Sequence, residues 1–174
     1  MTAAPTLDVQ PRGSALEEEI VGLFDLLREP LLRYLAGIGL PIADGEEIVQ
    51  EVFLSLFQHL RRGGGRGNLR GWIFRVAHNL GLKRRSRTPR PSSVAWEWLS
   101  DPAPGPEEQF FQNETERRVQ AVLRALPEQD RRCLMLRAEG LRYREIAGTQ
   151  AMSLGAVSMS LAKSLARIAR AAER

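Results

Sequence analysis

Ile48, Val52, Leu56 and Leu60 recur at every fourth position, Val49, Phe53 and Phe57 widen the same stripe, and Glu47, Glu51 and Gln58 fall outside it. The spacing predicts an amphipathic helix over about 44–61 that buries one face and shows an acidic one. The next stretch reverses the charge. Residues 61–90 hold ten cations and no Asp or Glu, whereas Arg12, Arg28 and Arg33 are the only cations of residues 1–60. Trp72, Phe74, His78 and Asn79 lie among those cations. Basic charge interleaved with stacking and hydrogen-bonding groups suits single-stranded or opened nucleic acid. The competing reading of such a run is a solvated face or a tail.

The rest of the chain is also helical in pattern. Leu16, Ile20, Leu23, Phe24 and Leu27 predict a first helix from Ser14, with Glu17, Glu18 and Glu19 complementing its positive end. Pro30 suits the start of a second helix carrying Leu31, Leu32, Leu35 and Ile38. Asp44 followed by Glu47 reads as an acidic variant of a capping box for the third. Gly63, Gly64, Gly65 and Gly67 then require a loop, one with neither the Gly-Lys-Ser/Thr nor the preceding strand of a nucleotide-hydrolase phosphate loop. From Asn68, Leu69, Trp72, Ile73, Val76, Ala77 and Leu80 mark a fourth helix, with Trp72 placed either in the core or against a base. Prolines at 89, 91, 102, 104 and 106 mark a linker, in which Trp96 and Trp98 dock either on a domain or on a partner. Two further helices, the first from Glu114, end at Pro127 and Gly140. A short one around Tyr143, Ile146 and Ala147, a turn over 148–153 and a longer one through Val157, Leu161, Leu165 and Ile168 outline a helix-turn-helix capped at Ser153. A plain helical bundle with no ligand is the alternative.

Several classes are excluded. The chain has 174 residues, an apolar fraction of 43% and no apolar run near 18 residues, so a folded, soluble, cytoplasmic protein without membrane insertion is expected. The first 14 residues lack the basic start and apolar centre of a secretory signal. Cys133 is the only cysteine, which rules out an internal disulfide and a multi-cysteine zinc site, and its setting is that of a small core residue. His59 and His78 have no second ligand at metal spacing, and no nucleophile motif surrounds the serines. No catalytic residue, metal or cofactor is therefore expected.

Two stretches carry a family resemblance. DGEEIVQEVF, from Asp44 to Phe53, followed by WIFRVAHN, from Trp72 to Asn79, resembles the second region of bacterial sigma-70-type sigma factors of the extracytoplasmic-function group. LPE, from Leu126 to Glu128, with GLRYREIA, from Gly140 to Ala147, resembles that group's fourth region, and the two matches stand in the family's order and spacing. The resemblance implies an all-α chain of two small helical domains, over 14–88 and 114–174, joined by a Pro-rich linker over 89–113, the C-terminal one a helix-turn-helix. It implies a sigma factor that binds RNA polymerase core through the beta-prime clamp helices and beta flap, recognises promoter DNA and assists strand opening, with an anti-sigma factor as a further candidate partner. Asp44, Glu47, Gln50, Glu51 and Phe53 correspond to the polymerase surface. Arg70, Trp72, Arg75, His78, Asn79, Lys83 and Arg84 correspond to the part that meets the minus-ten element. Asn79 is the best placed to read a flipped base, because an amide both donates and accepts.

Arg142, Arg144, Ser153, Ala156, Ser158, Ser160, Lys163 and Arg167 correspond to the minus-thirty-five reader. Here the sequence departs from the family pattern, with Ser158, Ser160 and Leu165 where basic residues are common. Three lost phosphate contacts make the log-log salt slope shallower by about 3 units. Ala151 stands where the turn usually has Gly, at a strain on the order of 1 kcal/mol if left-handed. The glycine loop also lacks an aromatic that often helps line the base pocket. The alternative function is a stand-alone helix-turn-helix regulator, and a third reading is a diverged chain held mainly by an anti-sigma partner.

Overall fold

The computed structural model describes residues 12–87 and 106–173, and among them the regular structure is entirely helical. In chain order these helices are α1 (Arg12–Gly37), α2 (Ile42–Arg61), α3 (Leu69–Arg87), α4 (Pro106–Ala125), α5 (Glu128–Ala138), α6 (Tyr143–Gln150) and α7 (Leu154–Ala172). Trp96, Trp98 and most of the proline-rich stretch lie outside the described residues. The part of that stretch from Pro106 onward is helical, so α4 starts earlier than the pattern from Glu114 indicated.

The first two expected helices are one. Pro30 does not open a second helix but lies inside the continuous α1. A proline removes one hydrogen bond and crowds the preceding turn. Here the apolar stripe of Leu27, Leu31, Tyr34, Leu35 and Ile38 is buried on both sides of it, and that burial holds the two halves in line. Likewise α2 begins before Asp44, with Pro41 at its N-cap and no side-chain cap, so Asp44 sits in the first turn and is free to bind elsewhere.

α1, α2 and α3 form one bundle, in which Ile48, Val49, Val52, Leu56 and Leu60 of α2 and Ile73, Phe74 and Ala77 of α3 face α1. α7 packs on α4, α5 and α6 in a second. Cys133, Leu136, Leu141, Ile146, Val157 and Leu161 fill its centre, and burial pushes the Cys133 thiol pKa up, as fits a core residue. The apolar cores of the two bundles are continuous, because α3 lies against α6 and α1 against α5. No described helix is long and apolar enough to cross a membrane.

Close approach of α3 to α1 depends on Gly81. A Cβ there would lie 2.9 Å from Ile38 Cδ1, 3.0 Å from Leu35 Cδ2 and 3.2 Å from Leu40 Cδ1. Gly81→Leu should therefore destabilise the chain by ~1–3 kcal/mol through overpacking, read as a lower urea midpoint with an unchanged slope.

Candidate nucleic-acid interface

The outer face of α2 is acidic. With the stripe from Ile48 to Leu60 turned inward, Glu46, Glu47, Gln50 and Glu51 project outward beside the exposed Ile42 and Leu54. Phe53 does not join them. It is buried and meets Phe24 edge to face at 5.1 Å, so it fixes the helix and offers no surface to a partner. Arg84 of α3 donates to Asp44 at 3.1 Å and to Glu47 at 2.9 Å, tying the acidic helix to the basic one.

On α3, Arg75, Asn79, Lys83 and Arg87 are exposed four residues apart and form one polar, basic stripe. Trp72, one turn before Arg75, is half-buried and stacks on His59 at 5.1 Å between ring centres. One side of the ring thus packs, as the core alternative has it, while another edge remains accessible. Besides Arg84, which is held by Asp44 and Glu47, two more residues matched to this element point elsewhere. Arg70 lies over the Phe74 ring and donates to the backbone carbonyl of Glu139 in the second bundle. His78 is 4% exposed and belongs to the seam between the bundles.

Polar groups at that seam are paired in one direction. Gln150 Nε2 of α6 donates to Tyr34 Oη of α1 at 3.2 Å, which leaves the Tyr34 hydroxyl hydrogen for His78 Nδ1, 2.7 Å away on α3. This pattern assigns the neutral tautomer with the proton on Nε2. Burial, assisted by the nearby Arg132 charge, lowers the His78 pKa to about 4. Burial also raises the Tyr34 pKa. Around this centre, Arg33 grips Glu139 with two bonds of 2.9 and 2.8 Å, and Arg85 meets Glu128 at 2.5 Å. The ion pair with Arg85, then that with Arg132, holds the Glu128 pKa down at about 2 despite partial burial. Gly37 faces Met135, whose Cε would have to move aside to admit a Cβ there.

The second bundle contains the helix-turn-helix. α6 ends at Gln150, Ala151 adopts the left-handed conformation (φ 51°, ψ 44°), and Ser153 Oγ accepts from the Ala156 N–H at 3.1 Å to start α7. Arg142, Arg144, Ala156, Ser158, Lys163 and Arg167 are exposed. Ser160 is not, because it points inward and donates to Asp130 at 2.6 Å. Arg142, Arg144, Leu154, Gly155 and Ser158 line an open cleft of about 710 Å³ whose opposite wall is Gly67 and Asn68 of the first bundle. Sequence reasoning missed the seam. Tyr34, a polar tip inside an apolar stripe, was its one visible sign, and Gln150 and Glu139 carried none. Among the described residues no group of His, Cys, Asp and Glu could hold a metal ion.

Comparison with known proteins agrees with these two parts. Residues 23–90 match the family model described as Sigma-70 region 2, and residues 116–168 match Sigma-70, region 4. A probable RNA polymerase sigma factor, RfaY, of Xanthomonas campestris pv. campestris is 32% identical over 73% of this chain and 34% of its own length. The ECF RNA polymerase sigma factor SigE of Mycolicibacterium smegmatis is 32% identical over 66% of this chain and 46% of its own. The chain thus spans a third to a half of the length of these two curated relatives. Among solved structures, CnrH in complex with the cytosolic domain of CnrY aligns with a TM-score of 0.62 at 20% identity, over 91% of this chain and 92% of that one. The sigma factor RpoE of Bartonella quintana, in complex with the anti-sigma factor NepR, gives 0.61 at 18%, over 90% and 98%. These two show a shared fold. The chain belongs to the sigma-70 family, in its extracytoplasmic-function group.

The His78 pKa, lowered from 6.5 to about 4, sets a pH dependence. Below 6.5 the unfolded chain takes up a proton that the folded seam refuses, so stability is full above that value and falls as the pH drops towards 4. Urea titrations should show a loss approaching ~1.4 kcal/mol per pH unit between these limits, and His78→Gln should remove it.

Proposed function

We infer that this chain is an RNA polymerase sigma factor, which binds polymerase core in the cytoplasm, brings it to promoter DNA and helps hold the opened strand. The observation that carries this reading is the presence in one chain of a region 2 match and a region 4 match, the first with an acidic α2 face beside a basic α3 face. Binding energy suffices for this work, so neither a cofactor nor a catalytic residue is needed. Glu47, Gln50 and Glu51 form the surface for the beta-prime clamp helices, with Ile42 and Leu54 as its apolar part and Asp44 held at its edge by Arg84. The beta flap is taken by the second bundle. Arg75, Asn79 and Lys83 meet the minus-ten element with the accessible edge of Trp72, while His78 and Arg70 position α3 from behind. An anti-sigma factor is a further partner by the analogy of RpoE with NepR.

A stand-alone regulator would need only the second bundle, and the region 2 match over 23–90 weighs against it. Immobilised chain should capture polymerase core without DNA, and Glu51→Lys should weaken capture by roughly five- to ten-fold, as charge reversal does at a polar rim. Tight duplex binding with no capture of core would establish the regulator instead. Asn79→Ala should leave capture unchanged and lower run-off transcription by roughly ten-fold, the scale of one lost base contact.

A further inference from the structure

The outward face of α7 has a composition unusual for a DNA reader. Val157, Ser160, Leu161 and Ser164 turn to the core, which leaves Leu154, Gly155, Ala156, Ser158, Met159 and Ala162 as the exposed side of the first two turns. Leu154 is 48% exposed and Met159 is 60% exposed. None of these six carries a charge or an amide. Guanine is usually read by Arg or Lys, adenine by Asn or Gln, and cytosine by Asp or Glu. The groups left for reading are methyls, methylenes, a thioether and the Ser158 hydroxyl. Positive charge flanks the face, with Arg142 and Arg144 at the start of α6 and Lys163 and Arg167 further along α7. None of these four cations forms an ion pair with another described residue.

We propose that α7 recognises its upstream promoter element by packing Leu154, Ala156 and Met159 against thymine 5-methyl groups in the major groove, while Arg142, Arg144, Lys163 and Arg167 hold the phosphates. Apolar side chains set against guanine or cytosine edges leave those base groups without partners, which is costly, whereas a thymine methyl gains by being covered. The preferred element is therefore rich in A·T pairs, with thymines on the strand that faces α7. This rests on the sigma-factor reading and adds the chemistry by which the element is selected.

The test uses the full chain with polymerase core on a promoter library randomised upstream. The selected promoter is then rebuilt with deoxyuridine for thymidine in that element alone, a change that removes only the 5-methyl. Initiation at limiting holoenzyme should fall about four-fold for each contacted methyl, the worth of one buried methylene-sized group. With Met159→Ser, the thymine and uracil templates should become equal at its position. Binding of the full chain alone to the same two duplexes is measured in parallel. Failure to capture core overturns the functional reading. Selection of guanines or cytosines at the contacted positions, or equal binding of the thymine and uracil duplexes, overturns the methyl readout, and a face built for a protein helix would give that second result.

Discussion

Burying polar side chains between two helical bundles is unfavourable unless each donor finds an acceptor. The chain from Gln150 through Tyr34 to His78 meets that condition by running one way, each residue donating to the next. Three helices, α6, α1 and α3, contribute one residue apiece, so the hydrogen bonds form only when all three are in register. The Arg33–Glu139 and Arg85–Glu128 pairs flank this centre, and Gly37 lets Met135 close in. Placement of the helix-turn-helix relative to the basic stripe of α3 follows from it.

On the first bundle the important feature is separation of charge over a short distance. α2 and α3 pack by their apolar faces, which forces their polar faces outward in different directions. One is acidic, the other basic. Arg84 is the exception that joins them, since its guanidinium reaches Asp44 and Glu47 across the helix pair. An arginine held by two carboxylates is less available to a phosphate, so the α3 surface that remains open is the line Arg75, Asn79, Lys83, Arg87.

Most helix positions, the glycine loop and the Ser153 cap were legible because each follows from local spacing or backbone chemistry, whereas the turn at Ala151 was marked only by the family pattern. Pro30 was misread because a local rule for helix starts competes with burial of a stripe that spans it, and burial is decided by the tertiary structure. His78 and Ser160 were misread for a related reason. Both were assigned to DNA by the family resemblance, but which way each turns depends on Tyr34 in one case and Asp130 in the other, 44 and 30 residues away. Glu139 gave no local sign at all, since Arg33 and Arg70, its partners, come from the other bundle.

A junction that adds hydrogen bonds and ion pairs to its apolar contacts differs from one made only of leucines in what happens when it parts. Water can take up the amide of Gln150, the phenol of Tyr34 and the imidazole of His78 as soon as they are uncovered, which offsets much of the loss. Junctions of this polar kind resemble those of proteins that meet and separate repeatedly. Parting the two halves of this chain would still uncover apolar surface, since their cores are continuous, so these polar groups lower the cost of opening without removing it.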